Sequence, residues 1–200
     1  MSHPTFDFGP LSDGVAFLME LDKLKSVERR TRLIGNARQE NSAEHSWHLA
    51  MAAMTLAPWA AEAVNLDRVI QMALLHDVVE IDAGDVMVYD LAAREAVQAQ
   101  EQAAAERIFG LLPGAQGARF RALWQEYEAG ESADARFANM LDRALPILLN
   151  LHNGGQSWRE NGIRLEQVIA RNAALARDWP ALWQHLSQHL QLAQQQGWLA

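Results

Sequence analysis

Apolar positions recur along the chain at helical spacing, and long alternating β-branched runs are missing. Val15, Leu18, Met19, Leu21 and Leu24 predict a first helix over residues 11–27. The stretch 28–40 is polar and basic and reads as a connection. A second helix opens near Asn41, where Asn41 and Glu44 form a variant of the capping box. It runs toward residue 64, with a kink or break at Pro58. Asp67 is the expected cap of a third helix over 67–80. Its segment from Val69 to Leu75 is apolar nearly all round, which predicts a central, buried helix. Gly84 marks a turn, and a long Ala/Gln/Glu helix follows over 91–110. The breaker Gly110-Leu111-Leu112-Pro113-Gly114 separates it from helices over 117–129 and 132–152. Ser132 caps the second of these, and Gly154-Gly155 ends it. Two terminal helices, 163–177 and 180–195, are divided by Pro180. The expected architecture is an all-α, single-domain bundle, without internal repeats or a domain-sized linker.

Composition narrows the class. The 200 residues are half hydrophobic and 21% charged, which fits a globular core and argues against disorder. Seventeen Lys and Arg against 25 Asp and Glu leave a net charge of −8. Such a chain repels phosphate backbones outside any local basic pocket, so a nucleic-acid polymer is not an expected partner. There is no cysteine, which excludes disulfides, thiolate metal sites and cysteine nucleophiles. The first residues lack a signal-peptide pattern, and no apolar run approaches the ~18 residues of a membrane span. The expected setting is the cytoplasm, with no membrane partner. The seven Trp residues are scattered and read as core or interface packing.

Chemistry is concentrated in three places. His76-Asp77 stands at the end of the most apolar helix, with Glu80 on the same face and Asp82 and Asp85 in the following turn. An ionisable pair there must be paired, solvated or metal-bound; the ordinary alternative is a helix end with solvent-facing acids. His45 lies in the first turn of its helix, where a cation is disfavoured and the neutral imidazole that a metal needs is favoured; a hydrogen-bonded surface His is the alternative. Asp142 sits in an otherwise apolar helix and needs a cation, either a metal or an Arg from another helix. Two His and two Asp from three helices would make a nitrogen/oxygen site suited to Mn, Fe, Co, Ni or Zn. Such a site suits hydrolysis, because a metal lowers the pKa of bound water and polarises a phosphoryl oxygen. Arg29, Arg30, Arg32 and Arg38 form an uneven basic cluster in this acidic chain, able to neutralise a phosphate or merely to balance local charge.

The order His45, His76-Asp77, Asp142 resembles the H…HD…D pattern of the HD-domain metal-dependent phosphohydrolases. The flanks Glu40-Asn-Ser-Ala-Glu-His-Ser46, Met72-Ala-Leu-Leu-His-Asp-Val-Val-Glu-Ile-Asp-Ala-Gly-Asp85 and Leu123-Trp-Gln-Glu-Tyr-Glu128 resemble its 5′-deoxynucleotidase branch. The likeness covers roughly residues 12–152; nothing in the C-terminal helices, about 157–197, carries a motif. It implies one HD domain over 1–200, usually dimeric, that hydrolyses nucleoside 5′-monophosphates to nucleoside and phosphate. By the same resemblance, His45, His76, Asp77 and Asp142 hold a divalent transition metal. Glu80 is the acid/base or water-orienting carboxylate. Asp85 either assists the nucleophile or, with Glu80 and the Val86 carbonyl, holds a second, weaker ion such as Mg. Arg30 takes the place of the family's phosphate-holding Arg, with Arg38, Arg29 and Arg32 as rivals. Relatives carry a Trp beside that Arg; Thr31 stands here, so the resemblance leaves the choice between deoxyribose and ribose open. The alternatives are another HD-type phosphodiesterase or nucleotide pyrophosphohydrolase, and a non-catalytic metal- or nucleotide-binding module.

Overall fold

The computed structural model describes residues 6–35, 37–85 and 91–200 of the chain. Its framework is three mutually packed helices: α2 (Ser42–Leu56), α3 (Leu66–Leu75) and α7 (Ala133–His152). α2 starts at the capping box read from the sequence. Glu44 N donates to Asn41 Oδ1 at 2.9 Å, and Asn41 N donates to Glu44 Oε2 at 3.1 Å. This pair satisfies two amides that the helix start leaves without partners. α7 starts equally cleanly, with Ser132 Oγ accepting from Ala135 N.

α1 (Ser12–Leu21) and a 3-10 turn (Asp22–Ser26) precede the framework. α5 (Leu91–Phe109) and α6 (Gly114–Ala129) flank it, while α8 (Gln156–Glu160), α9 (Leu165–Arg171), α10 (Ala173–Asp178) and α11 (Pro180–Gln195) complete the chain. Among the described residues one continuous apolar cluster forms, from Phe17 on α1 through Leu49, Met72, Trp124 and Leu141 to Leu190.

Several boundaries differ from the sequence expectation. The 28–40 connection is a β-hairpin: β1 (Glu28–Arg32) pairs antiparallel with β2 (Gln39–Asn41), with an irregular register between Glu28 and Arg32. Its residues carry no apolar alternation, so the strand signal was absent; backbone pairing and ion pairs hold it instead. The first helix ends at Leu21, and the second ends at Leu56 in a 3-10 turn that contains Pro58. Asn65, not Asp67, caps α3 by accepting from Arg68 N. α3 stops at Leu75, followed by a 3-10 turn (His76–Val79) and then the short α4 (Glu80–Ala83). Gly84, at φ 75°, turns the chain in a conformation that side chains rarely adopt. α6 begins three residues earlier than expected, and the region 163–177 is two helices broken at Asn172. Of the tryptophans, Trp124, Trp158 and Trp179 are buried, whereas Trp47 and Trp59 are exposed.

Pro146 lies inside α7, four residues after Asp142. Proline has no N–H, so the Asp142 carbonyl is deprived of its usual helical donor.

Candidate metal centre

The three framework helices converge on a polar cluster in an otherwise apolar interior. His45 comes from the first turn of α2, His76 from the end of α3 and Asp142 from the middle of α7. One ligand atom from each lies within 4.8 Å of the others. His45 Nε2 is 2.8 Å from Asp142 Oδ1, and the two imidazole rings are 5.4 Å apart. Both histidines are buried, whereas the Asp142 side chain keeps 29% exposure and forms the solvent side of the cluster.

Hydrogen bonding orients these donors inward. His76 Nδ1 is 2.9 Å from the Ala73 carbonyl oxygen, which only accepts. The neutral imidazole therefore carries its proton on Nδ1 and presents the Nε2 lone pair to the cluster. That Nε2 is buried and has no regular hydrogen bond. Tyr127 OH donates to Asp142 Oδ2 at 3.3 Å, and its ring packs 5.0 Å from His76. Burial and the neighbouring Asp142 hold the Tyr127 phenol well above its usual range, so it remains a donor.

Asp77 stands beside this trio. Its Oδ1 is 3.0 Å from His76 Nε2, and its Oδ2 accepts from Arg29 Nη1 at 3.0 Å. Burial raises the Asp77 carboxyl, but His76 and Arg29 bring it below the usual carboxylate range. Asp142 is likewise lowered, with burial outweighed by its bond to His45. Burial opposes a charge on His76, yet Asp77 and then Asp142 push it up to about 9. The field of the site therefore favours a cation. A proton answers that demand in the bare protein, and a metal can displace it. The orphaned Nε2, two imidazoles and close carboxylates fit a borderline divalent ion.

Acidic groups extend outward from the cluster. Burial, then Asp77 and Asp85, push Glu80 up to about 8, and Ser42 Oγ donates to Glu80 Oε2 at 2.6 Å. Asp85, at the exposed edge, is raised by partial burial of its carboxyl and by Asp77. Val86 lies outside the described residues. Asp82 turns away to pair with Arg107.

The basic cluster divides by strand alternation. Arg29 faces inward on β1 and reaches Asp77, while Arg30 is exposed; the Arg30 main-chain carbonyl accepts from Ser157 Oγ at 2.6 Å. Arg38 pairs with Glu44 on the surface, and Arg32 with Glu160. The family resemblance puts Arg30 in the place of the phosphate-holding Arg, with Arg29 as a rival, and the hairpin turns Arg29 to the cluster. The period of two in a strand was the signal that would have separated them. Glu40, Ser42 and Tyr127 were given no role from sequence, although each touches a candidate residue. Ser42 reaches Glu80 alone and Tyr127 reaches Asp142 and the His76 ring, and neither leaves a spacing pattern.

An all-helical framework with a His/His/Asp cluster and adjacent carboxylates defines a metal-site class. The sequence pattern of the HD domain matches residues 21–183, and the chain belongs to that family. It is similar to the 5′-deoxynucleotidase HDDC2 of Homo sapiens, at 32% identity over 149 residues, covering 74% of this chain and 72% of that one. It is similar to the 5′-deoxynucleotidase PM0747 of Pasteurella multocida (strain Pm70), at 29% identity, covering 76% and 83%. A solved structure from Magnetospirillum magnetotacticum MS-1, described as a predicted metal-dependent phosphohydrolase, superposes with a TM-score of 0.87. It is 43% identical and covers 95% of this chain and 98% of that one.

Proposed function

We propose that the protein is a metal-dependent phosphomonoesterase that releases phosphate from nucleoside 5′-monophosphates. The observation that carries this reading is the convergence of His45, His76 and Asp142 beside Asp77 and its partner Arg29. The similarity to 5′-deoxynucleotidases supplies the substrate class. His45, His76, Asp77 and Asp142 would hold the divalent ion, of the Mn, Co, Fe, Ni or Zn type. A divalent ion there would activate water and polarise a phosphoryl oxygen.

Arg29, which faces the cluster through Asp77, would bind the phosphate. Its guanidinium can leave Asp77 for an incoming dianion and offers paired donors to two oxygens. Glu80, raised to about 8, is able to hold a proton near neutral pH. It can deliver that proton to the departing 5′-oxygen. Ser42 fixes the Glu80 carboxyl from the α2 terminus. Asp85, at the exposed edge, is placed to take up a proton from the attacking water.

No described helix is long and apolar enough to cross a membrane, and a cysteine-free chain suits the reducing cytoplasm. Trp47, Met51 and Met54 form one exposed stripe on α2, at 63%, 41% and 52% exposure. We infer that a second copy covers it in a homodimer. Sedimentation of Trp47→Glu should then show a lighter species than wild type.

The functional test is phosphate release from deoxy- and ribonucleoside 5′-monophosphates after chelator treatment, with Mn, Co, Mg or Zn restored singly. Metal-dependent release that vanishes in Asp77→Ala is the expected result. No release with any ion would overturn the reading. Cleavage of cyclic or pyrophosphate substrates alone would reassign the reaction.

A further inference from the structure

Glu40 has no part in the steps above, yet it is buried to 2% exposure, deeper than Asp77. A carboxylate taken out of water is costly unless cationic or donor groups face it. Two such groups do. Its Oε1 lies 3.3 Å from Arg29 Nε and 3.7 Å from His45 Nδ1. These three atoms are buried, and none has a regular hydrogen bond elsewhere. Both nitrogens face the one Glu40 oxygen.

The far ends of the same two side chains reach the candidate centre. Arg29 Nη1 donates to Asp77 Oδ2 at 3.0 Å, and His45 Nε2 is 2.8 Å from Asp142 Oδ1. Glu40 is thus behind both groups, on the side away from substrate and metal. A carboxylate behind a metal-binding imidazole keeps the proton on the outer nitrogen and raises the basicity of the inner one. A carboxylate at the Nε edge of a guanidinium leaves its terminal nitrogens aimed forward. The elements explain how one residue serves two: β2 pairs with β1, which carries Arg29, and runs directly into α2, which carries His45.

We infer that Glu40 is a shared positioning residue, holding Arg29 for the substrate phosphate and His45 for the metal. The inference rests on the phosphohydrolase reading. It implies that clamp and metal site are set by one buried carboxylate, so that damage to it weakens both.

The test compares wild type with Glu40→Gln, Glu40→Ala, Arg29→Ala and the Arg29→Ala/Glu40→Gln double variant. Mn²⁺ affinity is measured by calorimetry, and kcat and KM by phosphate release. Glu40→Gln keeps the shape and removes the charge, so it decides the matter if Glu40→Ala fails to fold. The expected result is a loss of Mn²⁺ affinity of about tenfold or more, in the range of outer-shell partners, with a raised KM. In the Arg29→Ala background Glu40→Gln should add no further rise in KM but still weaken Mn²⁺ binding. A merely structural residue would lower the melting temperature and show no such split. Mn²⁺ affinity and KM within twofold of wild type in Glu40→Gln would overturn the inference while leaving an active wild type as a phosphohydrolase. A wild type that neither binds Mn²⁺ nor releases phosphate would overturn both.

Discussion

α7 serves two regions that solve opposite problems. On one face Asp142 meets His45 from α2. On another, Phe137 packs 5.3 Å from the Trp179 ring, where α10 and α11 cover the helix. The first region buries Glu40, His45, His76 and Asp77 together; the second buries Leu175, Trp179, Leu186 and Leu190. Burial of the apolar set stabilises the fold by roughly 1.5–3 kcal/mol for each large side chain. Burial of the charged set is sustained by mutual pairing and leaves a field that favours a cation. Stability and chemistry are thus carried by different sides of one helix, and substitutions should separate them.

The largest separation is expected at Asp142. Asp142→Ala should reduce metal-dependent turnover on the order of a thousandfold, beyond the 10–100-fold typical of outer-shell partners. Ligand binding at 100 times Kd stabilises by about 2.7 kcal/mol. Mn²⁺ should therefore raise the melting temperature of wild type and leave that of the variant unchanged. A Mn²⁺-induced shift retained in Asp142→Ala would show that the trio is not the binding site.

The opposite region should give the opposite pattern. Leu175 is fully buried. Leu175→Ala should cost about 2–5 kcal/mol through lost transfer energy and a cavity. Denaturant unfolding would measure that loss, while kcat of the folded fraction stays at the wild-type value. A fall in kcat without a loss of stability would break the division between the two regions.

The same division governs how much could be read from sequence. α3 was legible because its apolar face is broad, and α2 because Asn41 and Glu44 announce its start. His76 and Asp142 were legible as polar residues that an apolar setting must explain, His45 as an imidazole in the first turn of a helix, and the family resemblance joined them. The hairpin was not legible, since Glu28-Arg29-Arg30-Thr31-Arg32 has no apolar face to alternate. Without a strand, the alternation that turns Arg29 inward and Arg30 outward could not be read. Glu40 was hidden for a related reason. Beside Asn41 and Glu44 it reads as one more polar residue before a helix, and only the pairing of β1 with β2 turns it inward.

Within the charged region, Glu80 offers a smaller test that depends on pH. Burial, then Asp77 and Asp85, raise its carboxyl from an ordinary 4.5 to about 8. The folded state therefore binds this proton more tightly than the unfolded chain does. Its contribution to stability is intact below about pH 4.5 and is lost progressively as pH rises to about 8. Glu80→Gln has no proton to lose. In chelator, the variant should gain on wild type between pH 5 and 8.5, by about 1–3 kcal/mol. Thermal melts across that range measure it. A constant difference would mean that Glu80 ionises normally in the fold.

The smallest test sets two adjacent residues against each other. Asn41 Oδ1 accepts from Glu44 N, a purely local cap, whereas Ser42 Oγ reaches across 38 positions to Glu80 Oε2. Asn41→Ala should cost about 1 kcal/mol of stability and leave kcat unchanged. Ser42→Ala frees the Glu80 carboxyl while the cap at residue 41 survives. A hydrogen bond to a charged or reacting group is worth about 1.5 kcal/mol, which is about tenfold in rate. Ser42→Ala should therefore lower kcat about tenfold with little change in melting temperature. The reverse pattern, a stability loss at Ser42 and a rate loss at Asn41, would mean that the helix start acts on the chemistry as a rigid unit. The two-region division would then fail at the N-terminus of α2, where structure and site lie one residue apart.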